Sequence, residues 1–315
     1  MKLRRAVVTG GAGFLGSHLC ERLIQEGVEV VCLDDLSSGS LENLKLCEVS
    51  GRLHVQQADI SNGCAVKGPV DAVLHFASPA SPVDYLRMPV HTMRTGSMGT
   101  FHALNLAKMS GARFLLASTS ETYGNPQVHP QTEAYWGNVN PVGPRAVYDE
   151  AKRFAEALTV TYRRTYGVNA AIVRIFNTFG PRMRKEDGRA IPTFIGQALS
   201  GQNITIAGDG SQTRSFCYVD DLLDGVVRML HSDHPGPVNL GNPEEVSVRQ
   251  IAERIRKLTG SRSLFEFAPR PEDDPELRCP DITMARKLLG WTPQVSLDEG
   301  LKLTIDWFQE QLLTA

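Results

Sequence analysis

The sequence predicts an α/β fold, a doubly wound parallel sheet with a smaller C-terminal lobe, on three observations. Apolar runs of strand length alternate with helix-length segments through the first half, and a glycine-rich turn joins the first strand to the first helix. After Gly180-Pro181 the texture changes to shorter elements and more turns. Alternation of the first kind needs crossover helices between parallel strands. In chain order the strands are predicted at Arg5–Thr9, Val28–Leu33, Leu53–Gln57, Ala72–Phe76, Phe114–Ala117 and Ala170–Arg174. Helices are predicted at Phe14–Glu26, Thr92–Met109 and Ala146–Tyr166, the last stopping before Gly167, which suits a C-cap. The second half shows turns such as Gly208-Asp209-Gly210, an acidic, proline-bearing loop from Pro269 to Pro280, and an amphipathic helix near Ser296–Gln311.

Composition narrows the class of function. The 315 residues set a prior of two domains, and 42% hydrophobic content supplies a sizeable core. A formal net charge of -2 provides no electrostatic footprint for nucleic acid. Cys20, Cys32, Cys47, Cys64, Cys217 and Cys279 are scattered without paired spacing, which predicts no zinc or disulfide framework and no metal. Lys2, Arg4 and Arg5 precede Ala6-Val7-Val8, but glycines interrupt at once, so neither export nor membrane spanning is indicated and the expected location is cytoplasmic.

Gly10, Gly13 and Gly16 have the G-x-x-G-x-x-G spacing, in which absent side chains permit a tight turn, close pyrophosphate approach and close helix packing. The helix that starts at Phe14-Leu15 would then offer amide groups to phosphate. Standing between a strand and a helix, this turn predicts a Rossmann-type dinucleotide site. Asp34 ends the second strand 18 positions beyond Gly16, close to the spacing of about 20 expected of a ribose-binding acid. A 2′-phosphate would be repelled there, so NAD is the expected cofactor rather than NADP. Asp59 and Ile60 follow the third strand and are candidates for the adenine end. Without the glycine turn, Asp34 and Asp35 would read as ordinary turn residues before Ser37-Ser38-Gly39.

Tyr148 and Lys152 stand at i and i+4, on one face of a helix. A phenol with a pKa of about 10 needs a shift of roughly 3 units, about 4 kcal/mol, to act as a base near neutrality. A cation about 4 Å away supplies a similar amount at an effective dielectric of about 20, so Lys152, helped by a positive nicotinamide ring, is expected to activate Tyr148. Upstream, Ser118-Thr119-Ser120-Glu121-Thr122-Tyr123-Gly124 follows a buried strand, which places hydroxyls and a carboxylate in the crevice where open parallel sheets bind ligands. A polar turn or a solvated tyrosine-lysine pair would each be commonplace; the ordered set is specific.

These residues resemble the extended short-chain dehydrogenase/reductase superfamily, and within it the UDP-glucuronate decarboxylase family, over essentially the whole chain. The resemblance is carried by ASPASP at 77–82, STSETYG at 118–124, YWGNVNP at 135–141, YDEAKR at 148–153 and RIFNTFGPRM at 174–183. GDGSQTRSFCYVDDL at 208–222 and DDPELRCPDI at 273–282 extend it. It implies that Tyr148 removes the proton of a sugar C4 hydroxyl, with Thr119 orienting that oxygen, and that Ser120 and Glu121 serve the carbon-dioxide-releasing and reprotonation stage. Ser120 stands where 4,6-dehydratases carry an acid. The resemblance also puts Ala77 at the coenzyme, Pro82, Tyr85 and Gln212 at the sugar nucleotide, and Arg189 near the nucleotide. Asn177 would meet the phosphate or sugar, and Arg214 and Arg278 would clamp the pyrophosphate. Read by composition alone, Arg278 among Glu272, Asp273, Asp274 and Glu276 would be a solvated ion partner. A homodimer through a four-helix bundle of the helices at 92–109 and 146–166 is implied as well.

The implied domains are an NAD-binding unit of residues 1–176 with parts of about 205–240, and a nucleotide-sugar lobe of 177–204 and about 241–315. Gly96 replaces an asparagine common in relatives, Cys279 a common basic residue, and Ile191-Pro192-Thr193 a more usual Val-Ser-Asn. His75 reads as a packed, hydrogen-bonded residue, and Trp136, Trp291 and Trp307 as core or loop anchors. The alternatives are a UDP-hexose 4-epimerase, a decarboxylase that releases the 4-ketopentose, and, more remotely, a non-catalytic nucleotide-sensing protein.

Overall fold

A computed structural model describes residues 3–314. Its centre is a seven-stranded parallel sheet of β1 (Arg5–Thr9), β2 (Glu29–Asp34), β3 (Leu53–Gln57), β4 (Ala72–His75), β5 (Arg113–Thr119), β6 (Ala170–Ile175) and β7 (Val238–Leu240), in spatial order β7-β6-β5-β4-β1-β2-β3. The alternation of side chains explains why these strands read as unbroken apolar runs. Ala6, Val8, Leu74, Leu115, Ala171 and Val173 bury on one face, and Val7, Val73, Phe114, Leu116 and Ile172 on the other. A sheet covered on both faces has no polar side to show. Each fully buried valine or leucine contributes about 1.5–3 kcal/mol.

Helix α1 (Phe14–Gln25) covers the first face through Leu19, Cys20 and Leu23. The second face is covered by α2 (Thr100–Ser110), through Ala103, Leu104 and Ala107, and by α3 (Ala146–Tyr166), through Ala155 and Tyr162. Gly167 ends α3 with φ 67°, the left-handed C-cap that its sequence predicts. Helix α4 (Val219–His231) returns to the first face, with Leu222, Val226 and Met229 in its core.

Two features depart from the sequence-based expectation. The helix expected over Thr92–Met109 is instead Pro89–Arg94, a π-helical turn at Thr95–Gly99, and then α2. Gly96 sits in that turn, where a Cβ would lie 2.6 Å from the Cβ of Ala151 on α3, and Thr100 Oγ1 donates to the Gly96 carbonyl at 2.7 Å. The seventh strand was not expected, being only three residues long and following Gly236-Pro237.

The smaller lobe is stitched from short pairs. Ile204–Ala207 runs parallel to Phe265–Ala268, and Thr213–Ser215 antiparallel to Glu245–Ser247. Helices Ala190–Leu199 and Val248–Thr259 pack on each other, and α5 (Leu297–Thr314) closes the chain over both. Trp291 is buried and donates to the Asp221 carbonyl at 2.8 Å, which ties this segment to α4. Trp136, in contrast, is 89% exposed and anchors no core.

Candidate active site

The sheet's order reverses between β1 and β4, and parallel sheets bind ligands outside the carboxyl ends of the strands at such a switch point. A cleft of about 690 Å³ opens there, running from the glycine turn after β1 to Arg214 and Arg278 in the smaller lobe. It is lined by Gly10, Gly13, Phe14, Leu15, Gly16, Asp34, Ile60 and Ala77 at one end, and by Thr119, Ser120, Glu121, Tyr148 and Lys152 at the middle. Pro82, Tyr85, Asn177, Arg189, Gln212, Arg214 and Arg278 line the rest.

At the glycine end a Cβ on Gly16 would stand 2.0 Å from the Gly10 carbonyl oxygen, and Gly10 has φ 71°, so both positions admit only glycine without strain. Asp34 accepts hydrogen bonds from the amides of Ala12 at 2.9 Å and Leu36 at 2.8 Å and has no cation paired with it among the described residues. Burial raises its pKa. A bare backbone turn facing a helix N-terminus, beside a buried acid with acceptor capacity to spare, fits a dinucleotide with free ribose hydroxyls. Asp59 is the one member of the expected set outside the cleft lining; its carboxylate accepts from Ser61 N at 2.8 Å and Asn62 Nδ2 at 3.1 Å and so shapes the turn that carries Ile60. Asp35 and His91, paired at 2.9 Å, line that rim instead. His75 is fully buried between Thr9 Oγ1 at 2.7 Å and Thr100 Oγ1 at 3.1 Å, and burial lowers its pKa to about 3, so it packs as a neutral group.

Tyr148 is presented by the first turns of α3, its ring stacked on Tyr85 with centroids 5.4 Å apart and planes 10° apart. Thr119, the last residue of β5, lines the cleft beside Tyr148 and works to lower the phenol's pKa. Lys152, one turn on, donates to the Ala117 carbonyl at 2.9 Å, and its Nζ lies 5.8 Å from the Tyr148 ring centroid. The expected activation by Lys152 is therefore not produced by the protein groups on their own. Burial first, and then the Glu121 charge, push the Tyr148 phenol well above its ordinary value, and burial lowers Lys152 to about 8.

Glu121 is gripped by two guanidiniums. Arg278 meets it in a fork with both N···O distances at 2.7 Å, and Arg145 reaches Oε2 at 2.8 Å. Burial works to raise this carboxyl, but Arg278 and Arg145 override it and hold the pKa down at about 2, so Glu121 is ionised. Arg278 also donates to Asn177 Oδ1 at 3.3 Å, so its guanidinium is shared between Glu121 and Asn177 in the cleft. Arg214 is fastened to Asp274 at 2.8 Å and to the Thr213 carbonyl at 2.8 Å, and Arg189 pairs with Asp187 at 2.7 Å. Gln212 donates to the Ala207 carbonyl at 2.8 Å and leaves its own buried carbonyl oxygen without a partner among the described residues.

Two residues escaped the sequence reading. Arg145 stands three before Tyr148, on its face of the helix, a spacing that carries the signal in hindsight. Asp149, beside Tyr148, is 5% exposed with Oδ1 unpartnered among the described residues. Burial and the Glu121 charge raise its pKa to about 8. It does not line the cleft.

Comparison with known proteins agrees with this geometry. The family model described as GDP-mannose 4,6 dehydratase matches residues 7–304. The chain is 48% identical to UDP-glucuronic acid decarboxylase 1 of Danio rerio over 309 residues, covering 98% of this chain and 73% of that protein. It is 47% identical to UDP-glucuronic acid decarboxylase 6 of Arabidopsis thaliana, covering 98% and 90%. Among solved structures, UDP-N-acetylglucosamine 4-epimerase from Methanobrevibacter ruminantium M1 superposes with TM-score 0.90 at 27% identity, covering 99% of this chain and 100% of that one. UDP-glucuronic acid 4-epimerase from Bacillus cereus, in complex with UDP-glucuronic acid and NAD, superposes with TM-score 0.87 at 28% identity, covering 98% and 99%. With its dinucleotide turn, its Tyr148–Lys152 pair and near-half identity over almost its full length, the chain belongs to the UDP-glucuronic acid decarboxylase family of the extended short-chain dehydrogenase/reductase superfamily.

Proposed function

We propose that this chain decarboxylates UDP-glucuronate to UDP-xylose with tightly held NAD, in a reaction that returns the coenzyme to its starting redox state. The observation that carries the reading is the cluster around Glu121. One carboxylate between two guanidiniums leaves a net positive charge beside Tyr148, which suits a sugar that brings a carboxylate of its own. The same cluster disfavours dehydration, because eliminating a hydroxyl needs a proton donor and Glu121 is held ionised next to Ser120.

The glycine turn and Asp34 would hold NAD. When bound, it supplies a hydride acceptor and donor for the sugar C4 and a positive charge that favours the phenolate. Tyr148 takes the proton of the C4 hydroxyl, and Thr119 holds that oxygen through its own hydroxyl. Once C4 is a ketone, the C5 carboxylate is beta to it and leaves as carbon dioxide, its bonding electrons passing onto the C4 oxygen. Tyr148 and Thr119 stabilise that enolate oxygen by hydrogen bonding. Arg278 and Arg145, with Glu121, position the carboxylate before it leaves and keep the pocket's charge balanced afterwards. A proton from solvent then adds at C5, and Tyr148 gives back to the C4 oxygen the proton it took as C4 returns to an alcohol. Lys152, fixed on the Ala117 carbonyl, orders the turn of α3 that carries Tyr148. Arg214, Arg189, Gln212 and Asn177 face the remaining length of the cleft, which the UDP portion would occupy.

The working unit in this reading is a cytoplasmic homodimer joined through a four-helix bundle. Val90, Met93, Phe101 and Phe154 are 40–70% exposed on the helices concerned, an apolar surface that favours a partner. No described helix is long and apolar enough to cross a membrane. The test is to incubate the protein separately with UDP-glucuronate and UDP-glucose and identify products by mass. UDP-xylose with one equivalent of carbon dioxide is expected. UDP-galacturonate without gas release would make the chain a 4-epimerase, and accumulated 4-ketopentose with NADH would make it a decarboxylase that does not complete the cycle.

A further inference from the structure

We propose that His129, Glu245 and Cys279 form a binding site for a divalent transition-metal ion of the zinc class, where the segment after Tyr123 meets the smaller lobe and outside the Tyr148 cleft. Scattered cysteines gave no such expectation from spacing, but the fold gathers three residues far apart in the chain. One ligand atom from each, a ring nitrogen, a carboxylate oxygen and a thiol sulfur, lies within 4.8 Å of the others. Nitrogen, oxygen and sulfur are the donor set zinc takes, and bond lengths of ~2.0–2.3 Å put neighbouring tetrahedral ligands roughly 3.3–3.8 Å apart. His129 Nε2 and Glu245 Oε2 stand at 2.8 Å as a hydrogen bond, so admitting an ion requires them to separate by under about 1 Å.

The supports around these three are already in place. Thr213 Oγ1 donates to the other carboxylate oxygen of Glu245 at 2.6 Å, which orients the carboxylate. Gln131 fixes Cys279 on both sides: its side-chain oxygen accepts from Cys279 N at 2.8 Å, and its amide donates to the Cys279 carbonyl at 2.8 Å. The sulfur, 3.4 Å from the Pro243 carbonyl, is held in a buried position. His129 and Glu245 are part-exposed at 35% and 27%, which leaves an entry path and room for water as a fourth ligand. None of the three lines the cleft. Binding breaks the Cys279 S–H bond and forms a metal–sulfur bond, with the proton released to solvent and no change of oxidation state. Cys279 adjoins Arg278, and Glu245 lies on the strand paired with that of Arg214, so an ion here would pin two segments that carry cleft arginines.

The test is cobalt(II) titration of the full chain, read by absorbance. One equivalent of cobalt should give a thiolate-to-metal charge-transfer band together with intense d–d bands of a four-coordinate ion, and zinc should erase both. Cys279→Ser should abolish the charge-transfer band, and His129→Ala should weaken binding at least ~10-fold, with metal-free turnover of both variants unchanged. Absence of the band in the unaltered chain at saturating cobalt would overturn the site, as would a band that persists at full intensity in Cys279→Ser. The cobalt spectra and affinities do not use the sugar nucleotide, so they stand apart from any failure of the decarboxylase reading.

Discussion

Replacing Asp149 with asparagine should remove a pH-dependent weakness in the fold. The carboxyl is 5% exposed beside the ionised Glu121, and its pKa is raised from 3.8 to about 8. Below pH 4 it is protonated in both folded and unfolded chains and costs nothing. Between pH 4 and 8 the unfolded chain ionises freely while the folded chain keeps its proton, so stability falls as pH rises, by about 1.36 kcal/mol per pH unit. The full span corresponds to on the order of 5 kcal/mol as a ceiling, and the interval from pH 5.5 to 7.5 to about half of that. Asparagine keeps the shape and cannot titrate. The assay is the urea midpoint of both proteins at pH 5.5, 6.5 and 7.5, with the slope of the transition checked for constancy. The midpoint of the asparagine variant should gain steadily on that of the natural chain as pH rises. A constant offset between the two midpoints across these pH values, that is, parallel curves, would refute the linkage reasoning.

Three further outcomes follow from the site. Tyr148→Phe should lower kcat by about 10²–10⁴-fold with the urea midpoint little changed, as expected for loss of a proton-transfer group; steady-state kinetics and denaturation together check it. Arg145→Ala leaves Glu121 with Arg278 as its remaining guanidinium partner, so its carboxyl should climb from about 2 and the acid limb of the pH–rate profile should move to higher pH. In a buried pair the loss of one partner costs about 3–5 kcal/mol, so the midpoint should drop as well. Asp34→Ala should weaken NAD about 10–100-fold through loss of charged hydrogen bonds worth about 1.5–3 kcal/mol, measured by coenzyme content after gel filtration and by calorimetry.

Strands β1 and β3 and helix α3 stand at their expected bounds because the sequence marks their ends locally: a glycine turn after Thr9, and Gly167 after Tyr166. That Gly10, Gly13, Gly16 and Asp34 would come together at one end of a cleft was legible for the same reason, since spacing along one strand, turn and helix is local information. What could not be read locally was which distant side chains converge. Nothing near Glu121 in the chain says that Arg278 will fork onto it or that Arg145 will join, because both contacts depend on how the acidic loop folds back over the cleft. Burial was illegible in the same way. The phenol of Tyr148 was expected to lie low beside Lys152, but desolvation and the Glu121 charge decide its value, and Lys152 spends its proton donor on a main-chain carbonyl. The π-turn at Thr95–Gly99 breaks an apolar pattern that looks continuous in one dimension, and only the close packing of Gly96 on Ala151 accounts for it.

The chain leaves the central layer after β6 and comes back to it as β7. It then leaves the layer again after β7, so more than one polypeptide crossing joins the sheet to the smaller lobe. A fragment ending soon after Phe179 would lack the outermost strand and bare the free edge of β6, a row of unpaired amides and carbonyls inviting self-association. Neither part is thus separable by a single cut, and any rocking of one against the other must bend all the connections in concert.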